Sequence, residues 1–118
     1  MVPVLKPIFW IGDSLARLRA LPADVRWDAG GQLERVQGGQ DPDDFRPMPD
    51  VGPGTMEIRL HVENEYRVFY VARFEEAVYV LHCFVKKTRT TREADIDLGR
   101  RRYRAMLEYR KGGQAKEE

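Results

Sequence analysis

The chain has one cysteine, Cys83, and only two histidines, His61 and His82, in 118 residues. A single cysteine excludes an internal disulfide, and with two histidines it falls short of any zinc-ligand spacing. No phosphate-cradling G-x-x-x-x-G-K loop occurs, and Gly52-Pro53-Gly54 is too short and stiff to imitate one. The sequence therefore predicts neither a metal nor a nucleotide cofactor. No apolar run nears the roughly 20 residues that span a bilayer. The opening Met1-Val2-Pro3-Val4-Leu5-Lys6-Pro7 lacks the basic and then apolar order of a secretory signal. Cytoplasmic residence without a membrane partner is the expectation. Excess charge is missing too: the net charge of +1 is too small for a general nucleic-acid coat.

What is present suits one globular domain. Hydrophobic residues make up 42% and charged residues 33%, a balance that argues against disorder. The length supports one core, read as a domain over residues 1–111 with a polar tail at 112–118. Charge is segregated along the chain. Lys86, Lys87, Arg89, Arg92, Arg100, Arg101, Arg102 and Arg104 crowd one stretch, whereas Asp41, Asp43, Asp44 and Asp50 make another acidic. Such polarity can build a local polyanion site on a nearly neutral molecule. Cys83 sits in the apolar run Val78–Val85 and reads as a buried small hydrophobe.

Leu5 to Trp10 reads as a short strand. Asp13 or Ser14 suits the cap of a helix carrying Leu15, Leu18 and Leu21. Pro22 closes that helix and fits the first turn of the next, whose Val25, Ala29, Leu33 and Val36 form one apolar stripe. Gly30 and Gly31 weaken that helix by roughly 1 kcal/mol each relative to alanine, marking a kink or a close helix contact. Gln40 to Gly54, with four prolines, is expected to hold no regular element. Met56, Ile58, Leu60 and Val62 then alternate with Glu57, Arg59 and His61, the period of a half-buried strand. A turn at Glu63-Asn64-Glu65 leads to a strand over Tyr66–Phe74, and Glu75-Glu76 turn into a third over Ala77–Val85. The short connections predict an antiparallel meander with its third strand, apolar on both faces, lying centrally. Thr90-Thr91-Arg92-Glu93 fits a capping box opening a helix with Ile96, Gly99, Tyr103 and Met106 on one side. The predicted fold is an α+β domain of order β-α-α-β-β-β-α.

The chemistry left open to such a chain lies in basic side chains on the sheet. Arg59, Arg67 and Arg73 share one alternating phase, and Lys86 and Lys87 stand at the end of the third strand. Arg59 and Arg67 flank a shared turn and become cross-strand neighbours. Like charges so placed repel, which favours either a bound phosphate or surface pairing with Glu57, Glu63 or Glu65. Tyr103 and His82 read as core residues, and Arg100-Arg101-Arg102 as a solvated helix face or a dock for an acidic partner.

Three meander segments and one loop carry a resemblance: Glu57-Ile58-Arg59, Tyr66 to Ala72, Val78 to Thr88, and Phe45-Arg46-Pro47-Met48-Pro49. With Ser14-Leu15 after Gly12, their order resembles the HigB-like, phage-related branch of the RelE toxin superfamily from about Ile8 to Arg104. That resemblance implies two N-terminal helices packed on a curved, antiparallel-rich sheet. It implies an endoribonuclease toxin cleaving mRNA, commonly on the ribosome, and a helix-turn-helix antitoxin as partner. By motif position the catalytic candidates are Arg59, Arg67, Lys86 and Lys87, joined by His61 in phase with Arg59. Arg73, Arg89 and Arg92 are candidate RNA contacts. RelE-type members use a tyrosine shortly after the basic pair, but none occurs between Thr88 and Ile96. Two alternatives therefore stand beside the enzyme: a non-catalytic RNA- or ribosome-binding domain, and a protein-interaction module.

Overall fold

A computed structural model describes residues 4–116 and places eight elements in them. They are β1 (Ile8–Trp10), α1 (Ser14–Arg19), α2 (Ala23–Gln37), β2 (Phe45–Pro47), β3 (Thr55–Val62), β4 (Asn64–Val71), β5 (Val78–Lys86) and α3 (Glu93–Lys116). The sheet order is β1-β5-β4-β3-β2. β1 pairs with β5 in parallel and every other pairing is antiparallel. The fold is thus α+β, with three helices around a five-stranded mixed sheet. β5 is interior, but the middle of the sheet is β4, because β1 and β2 each add an edge.

Alternation along the strands divides two cores. Tyr66, Val68 and Tyr70 of β4 face α1 and α2, where Leu18, Val25, Ala29, Leu33 and Val36 close over them. Phe69 and Val71 face the other way and pack under Tyr103 and Met106 of α3. Burying a side chain such as Leu33 or Phe69 contributes about 1.5–3 kcal/mol. Cys83 lies in the first core, where burial pushes its thiol up to about 12. It is inert packing, as its surroundings in sequence suggested.

Several expectations are corrected by the pairing. Gln40 to Gly54 does hold a strand, β2, whose Pro47 is tolerated because it lies on the sheet edge. Met48 and Val51 of the same segment are buried under α3. The β3–β4 turn is Glu63 alone, in the left-handed region at φ 64. Pro22 is the residue before α2 rather than within it, and Asp13 precedes α1 without a side-chain capping bond. Asp13 instead pairs with Arg17 at 3.0 Å and with Arg102 at 2.8 Å. The Arg102 guanidinium lies where a side chain at Gly12 (φ 59) would have to go, so only glycine fits that turn. The capping box does not form: α3 begins at Glu93, and the Arg92 carbonyl accepts its first bonds from Asp95 and Ile96. The helix runs to Lys116, past the expected tail boundary at Gly112, and residues 117–118 lie outside the described residues.

A β-bulge at Leu81 is the correction with the widest effect. Phe69 pairs with His82 and Tyr70 with Val80, leaving Leu81 as the extra residue. The alternation resets there, so His82 joins Leu81 and Phe84 on the α3 face while Val80 and Cys83 face α2. His82 is 0% exposed and stacks on Phe84, with ring centroids 4.7 Å apart. Its Nε2 lies 2.9 Å from Asp95 Oδ1. Burial lowers its pKa from 6.5, against the opposing pull of Asp95. A base whose folded pKa is depressed stabilises the fold above its unfolded value, and that contribution is lost as pH falls. His82 is therefore expected to lower the temperature of thermal unfolding as pH drops below about 6.5, against the gain that His61, with its raised pKa, makes over the same range. His82→Gln should flatten this dependence, and an unchanged slope in that variant would rule the histidine out as its source.

Candidate nucleic-acid interface

Three rows of side chains cross the α3 face of the sheet at the end near Glu63. The outer row runs His61–Glu65–Lys86, the next Arg59–Arg67–Phe84, and the third Arg46–Glu57–Phe69–His82. Arg59 and Arg67 are direct register partners, as the strand phase predicted. The bulge makes the rows possible: without it, Phe84 and Lys86 would face α2.

Carboxylates are interleaved with the cations. Arg46 Nε donates to Glu57 Oε1 at 2.9 Å, and Arg67 Nε stands 3.7 Å from the same oxygen. Arg67 donates to Glu65 at 3.0 Å and to the Tyr66 carbonyl at 2.9 Å. Asp44, just before β2, reaches Arg59 at 3.6 Å and His61 Nε2 at 2.6 Å. Glu57 was expected on a polar, solvated face, yet it is 0% exposed. Arg67 is 4% exposed, so it acts by holding Glu57 and Glu65 in place, whereas half-buried Arg46 and Arg59 present the accessible guanidinium groups. Arg59 Nε and Arg67 Nε are buried with no hydrogen-bond partner among the described residues. The cluster therefore keeps unused donors beside its ion pairs.

Two titratable groups are shifted in opposite senses. Hydrogen bonding to Asp44 and then to Glu65 raises the His61 pKa above 6.5, favouring imidazolium. His61 in turn holds both carboxyls below their ordinary range. Partial burial, with Arg67 and then Arg46 and Arg59 nearby, lowers the Lys86 pKa. A histidine biased toward imidazolium and a lysine biased toward the free amine thus flank Glu65, one strand away on either side. Strand spacing puts their backbones about 10 Å apart.

The other candidates scatter. Lys87 follows the end of β5, is exposed, and joins none of the ion pairs among the described residues. Arg89 is at the rim, where its carbonyl accepts a 2.7 Å bond from Lys86 Nζ. Arg92 is exposed and lies 3.6 Å from Asp95. Arg73 is not part of the site: β4 ends at Val71, so Arg73 lies beyond its far end, about 20 Å along the strand from Arg67. Tyr103 is a core residue whose hydroxyl donates to the Pro53 carbonyl at 2.6 Å. In the arginine run, Arg102 ties α3 to the Ile11 carbonyl and Asp13, and Arg100 pairs with Asp97 and Glu93. Sequence reasoning named Glu57 and Glu65 as partners for the arginines, and Arg67 does pair with both; it missed Arg46 and Asp44 as members of the cluster. The only available signal was Arg46 inside the quoted loop motif.

No helix among the described residues is long and apolar enough to cross a membrane. Among curated proteins, no sequence matches the chain. A profile described as "Phage derived protein Gp49-like (DUF891)" matches residues 16–104. That span holds α2, every strand of the meander and each residue of the three rows. The chain belongs to the phage-derived Gp49-like family.

Proposed function

We propose that this chain is a RelE-like toxin of the HigB type, an endoribonuclease that cuts mRNA on the ribosome and is silenced by a helix-turn-helix antitoxin. Membership of the Gp49-like family supports the toxin class. The observation that carries the chemistry is the outer row, where His61 and Lys86 stand either side of Glu65 above the Arg59–Arg67 pair.

The reaction needs no metal. Lys86, as the free amine, takes the proton of a ribose 2′-hydroxyl, whose oxygen then attacks the adjacent phosphorus. The bond from phosphorus to the 5′-oxygen breaks, and the His61 imidazolium supplies the proton that oxygen needs. The products are a 2′,3′-cyclic phosphate and a 5′-hydroxyl. Arg59 and Arg46 face the charge that develops on the phosphorane, the larger share of such catalysis. Arg67 positions Glu65 and Glu57 from below.

Mapping of mRNA 5′ ends after induction tests the reading. New 5′-hydroxyl ends at fixed codon positions, together with growth arrest, are expected. Arrest with intact messages would replace the enzyme with a non-catalytic binder, the reading favoured by the missing tyrosine and by the carboxylates that occupy the arginines. Unimpaired growth with intact messages would overturn both.

A further inference from the structure

Helix α2 carries a buried apolar line and, opposite it, an outer line of small and aromatic residues. Val25, Ala29, Leu33 and Val36 face the sheet and are buried. At 3.6 residues per turn, the opposite line runs through Ala23, Trp27, Gly30 with Gly31, Glu34 as its one charged member, and Gly38 at the cap. Trp27 is 87% exposed. A side chain at Gly30 or Gly31 would meet nothing within 4 Å, so the folded chain itself makes no use of the close approach these glycines allow. Leu5, itself largely exposed, lies against Gly38 and extends the strip. Shallow grooves flank the glycine pair, one bounded by Arg26, Trp27 and Glu34 and the other by Leu5, Glu34 and Arg35.

The charges bordering this strip choose its occupant. On one flank Asp24 and Asp28 lie in the N-terminal half and Arg35 in the C-terminal half. On the other, Arg26 lies in the N-terminal half and Glu34, on the strip itself, in the C-terminal half. Asp24, Asp28 and Glu34 take part in no ion pair among the described residues. Among the described residues the Arg26 side chain bonds only the Arg19 carbonyl, while Arg35 reaches the Asp41 carbonyl and exposed Asp43. A two-fold axis perpendicular to the helix, passing between Gly30 and Gly31, sets each flank against the same flank of a second helix running the other way. Arg26 then meets Glu34 of the second copy, and Asp24 and Asp28 meet its Arg35. Every opposed pair is of opposite sign, and each occurs twice, as an isologous interface requires. Trp27 lands level with Glu34 of the second copy, and its ring can extend over the neighbouring Gly31, where no side chain blocks it. Large aromatic anchors of this kind dominate interface energetics.

We infer that the outer face of α2 binds a second copy of this chain, forming an antiparallel α2–α2 dimer centred on Gly30–Gly31. The strip lies on the helix pair's side of the sheet, away from the three ionic rows on the α3 side. Dimerisation leaves those rows open, and the inference needs nothing from the ribonuclease reading.

Sedimentation equilibrium of the full chain, from micromolar to sub-millimolar concentration, provides the test. The wild type is expected to dimerise, and Trp27→Ala to raise the dissociation constant by at least about tenfold. Arg26→Glu and Glu34→Arg should each weaken the dimer by a similar factor, since each sets like charges together. The double variant Arg26→Glu/Glu34→Arg restores opposite signs and should return to within about threefold of wild type. A wild type that stays monomeric throughout overturns the inference, as does a dimer indifferent to Trp27→Ala. A double variant no tighter than the singles overturns the two-fold arrangement. Should the wild type be monomeric and Trp27 be needed only for binding another protein, the occupant is that protein and not a second copy.

Discussion

Glu57→Ala is expected to lower the free energy of unfolding by about 3–5 kcal/mol, the cost of leaving one partner of a buried ion pair uncompensated. Glu57 is 0% exposed, and the guanidinium of Arg67 beside it is almost as deeply buried. Without the carboxylate that cation would sit against Phe69 and Phe84 with only Glu65 and the Tyr66 carbonyl for company. For a domain of this size the loss corresponds to a fall of more than about 10 °C in Tm. Arg46→Ala makes the comparison: it removes the one hydrogen bond that the described residues make to the same carboxylate but also opens it to water from the sheet edge, and should cost less, about 1–3 kcal/mol. Differential scanning calorimetry at neutral pH reads both. If Glu57→Ala costs no more than Arg46→Ala, the buried pair does not hold the sheet together as argued.

The second large effect belongs to Lys86. If its free amine removes the 2′-hydroxyl proton, Lys86→Ala should slow cleavage by about 10²–10⁴-fold with little change in Tm, because the side chain is only partly buried. Lys86→Arg should not rescue it, since a guanidinium keeps its charge and its proton. The pH profile carries the sign. Activity is expected to follow a bell-shaped profile, because it needs Lys86 without its proton and His61 with one, and the depressed Lys86 value and the raised His61 value bring those two conditions closer together. His61→Ala should remove the falling limb. Full cleavage by Lys86→Arg would remove Lys86 as the base.

The sequence reveals the meander and the inner stripe of α2 because their periods repeat over a whole element. Arg59 and Arg67 could be paired on paper because strand phase and a short turn set their register. The rest depended on contacts that periodicity does not encode. Phe45-Arg46-Pro47 looks like loop because proline breaks most strands, and only an edge position with one neighbour makes it tolerable. Once β2 is in place, Arg46 covers Glu57, so a residue in the solvated phase of β3 becomes one of the most buried in the protein. The bulge at Leu81 left no mark in an unbroken apolar run. Its effect is to turn Lys86 onto the cluster face and to leave Lys87, one residue on, outside it. Arg73 was misplaced for the opposite reason: an alternation that reads well through Phe74 stops being a strand at Val71.

The parallel pairing of β1 with β5 joins Ile8 to Val78 and Trp10 to Val80, partners 70 positions apart. A chain made from its N-terminus at about 5–20 residues per second must wait roughly 4–14 s between exposing the first strand and making the one it pairs with. For most of that interval Phe9, Trp10 and the inner stripe of α2 have no sheet to cover them. Residues 44–86, by contrast, hold all three ionic rows within a local hairpin array of short contact separation. During synthesis the strand made first must therefore wait for most of the sheet before it finds its own place at the edge.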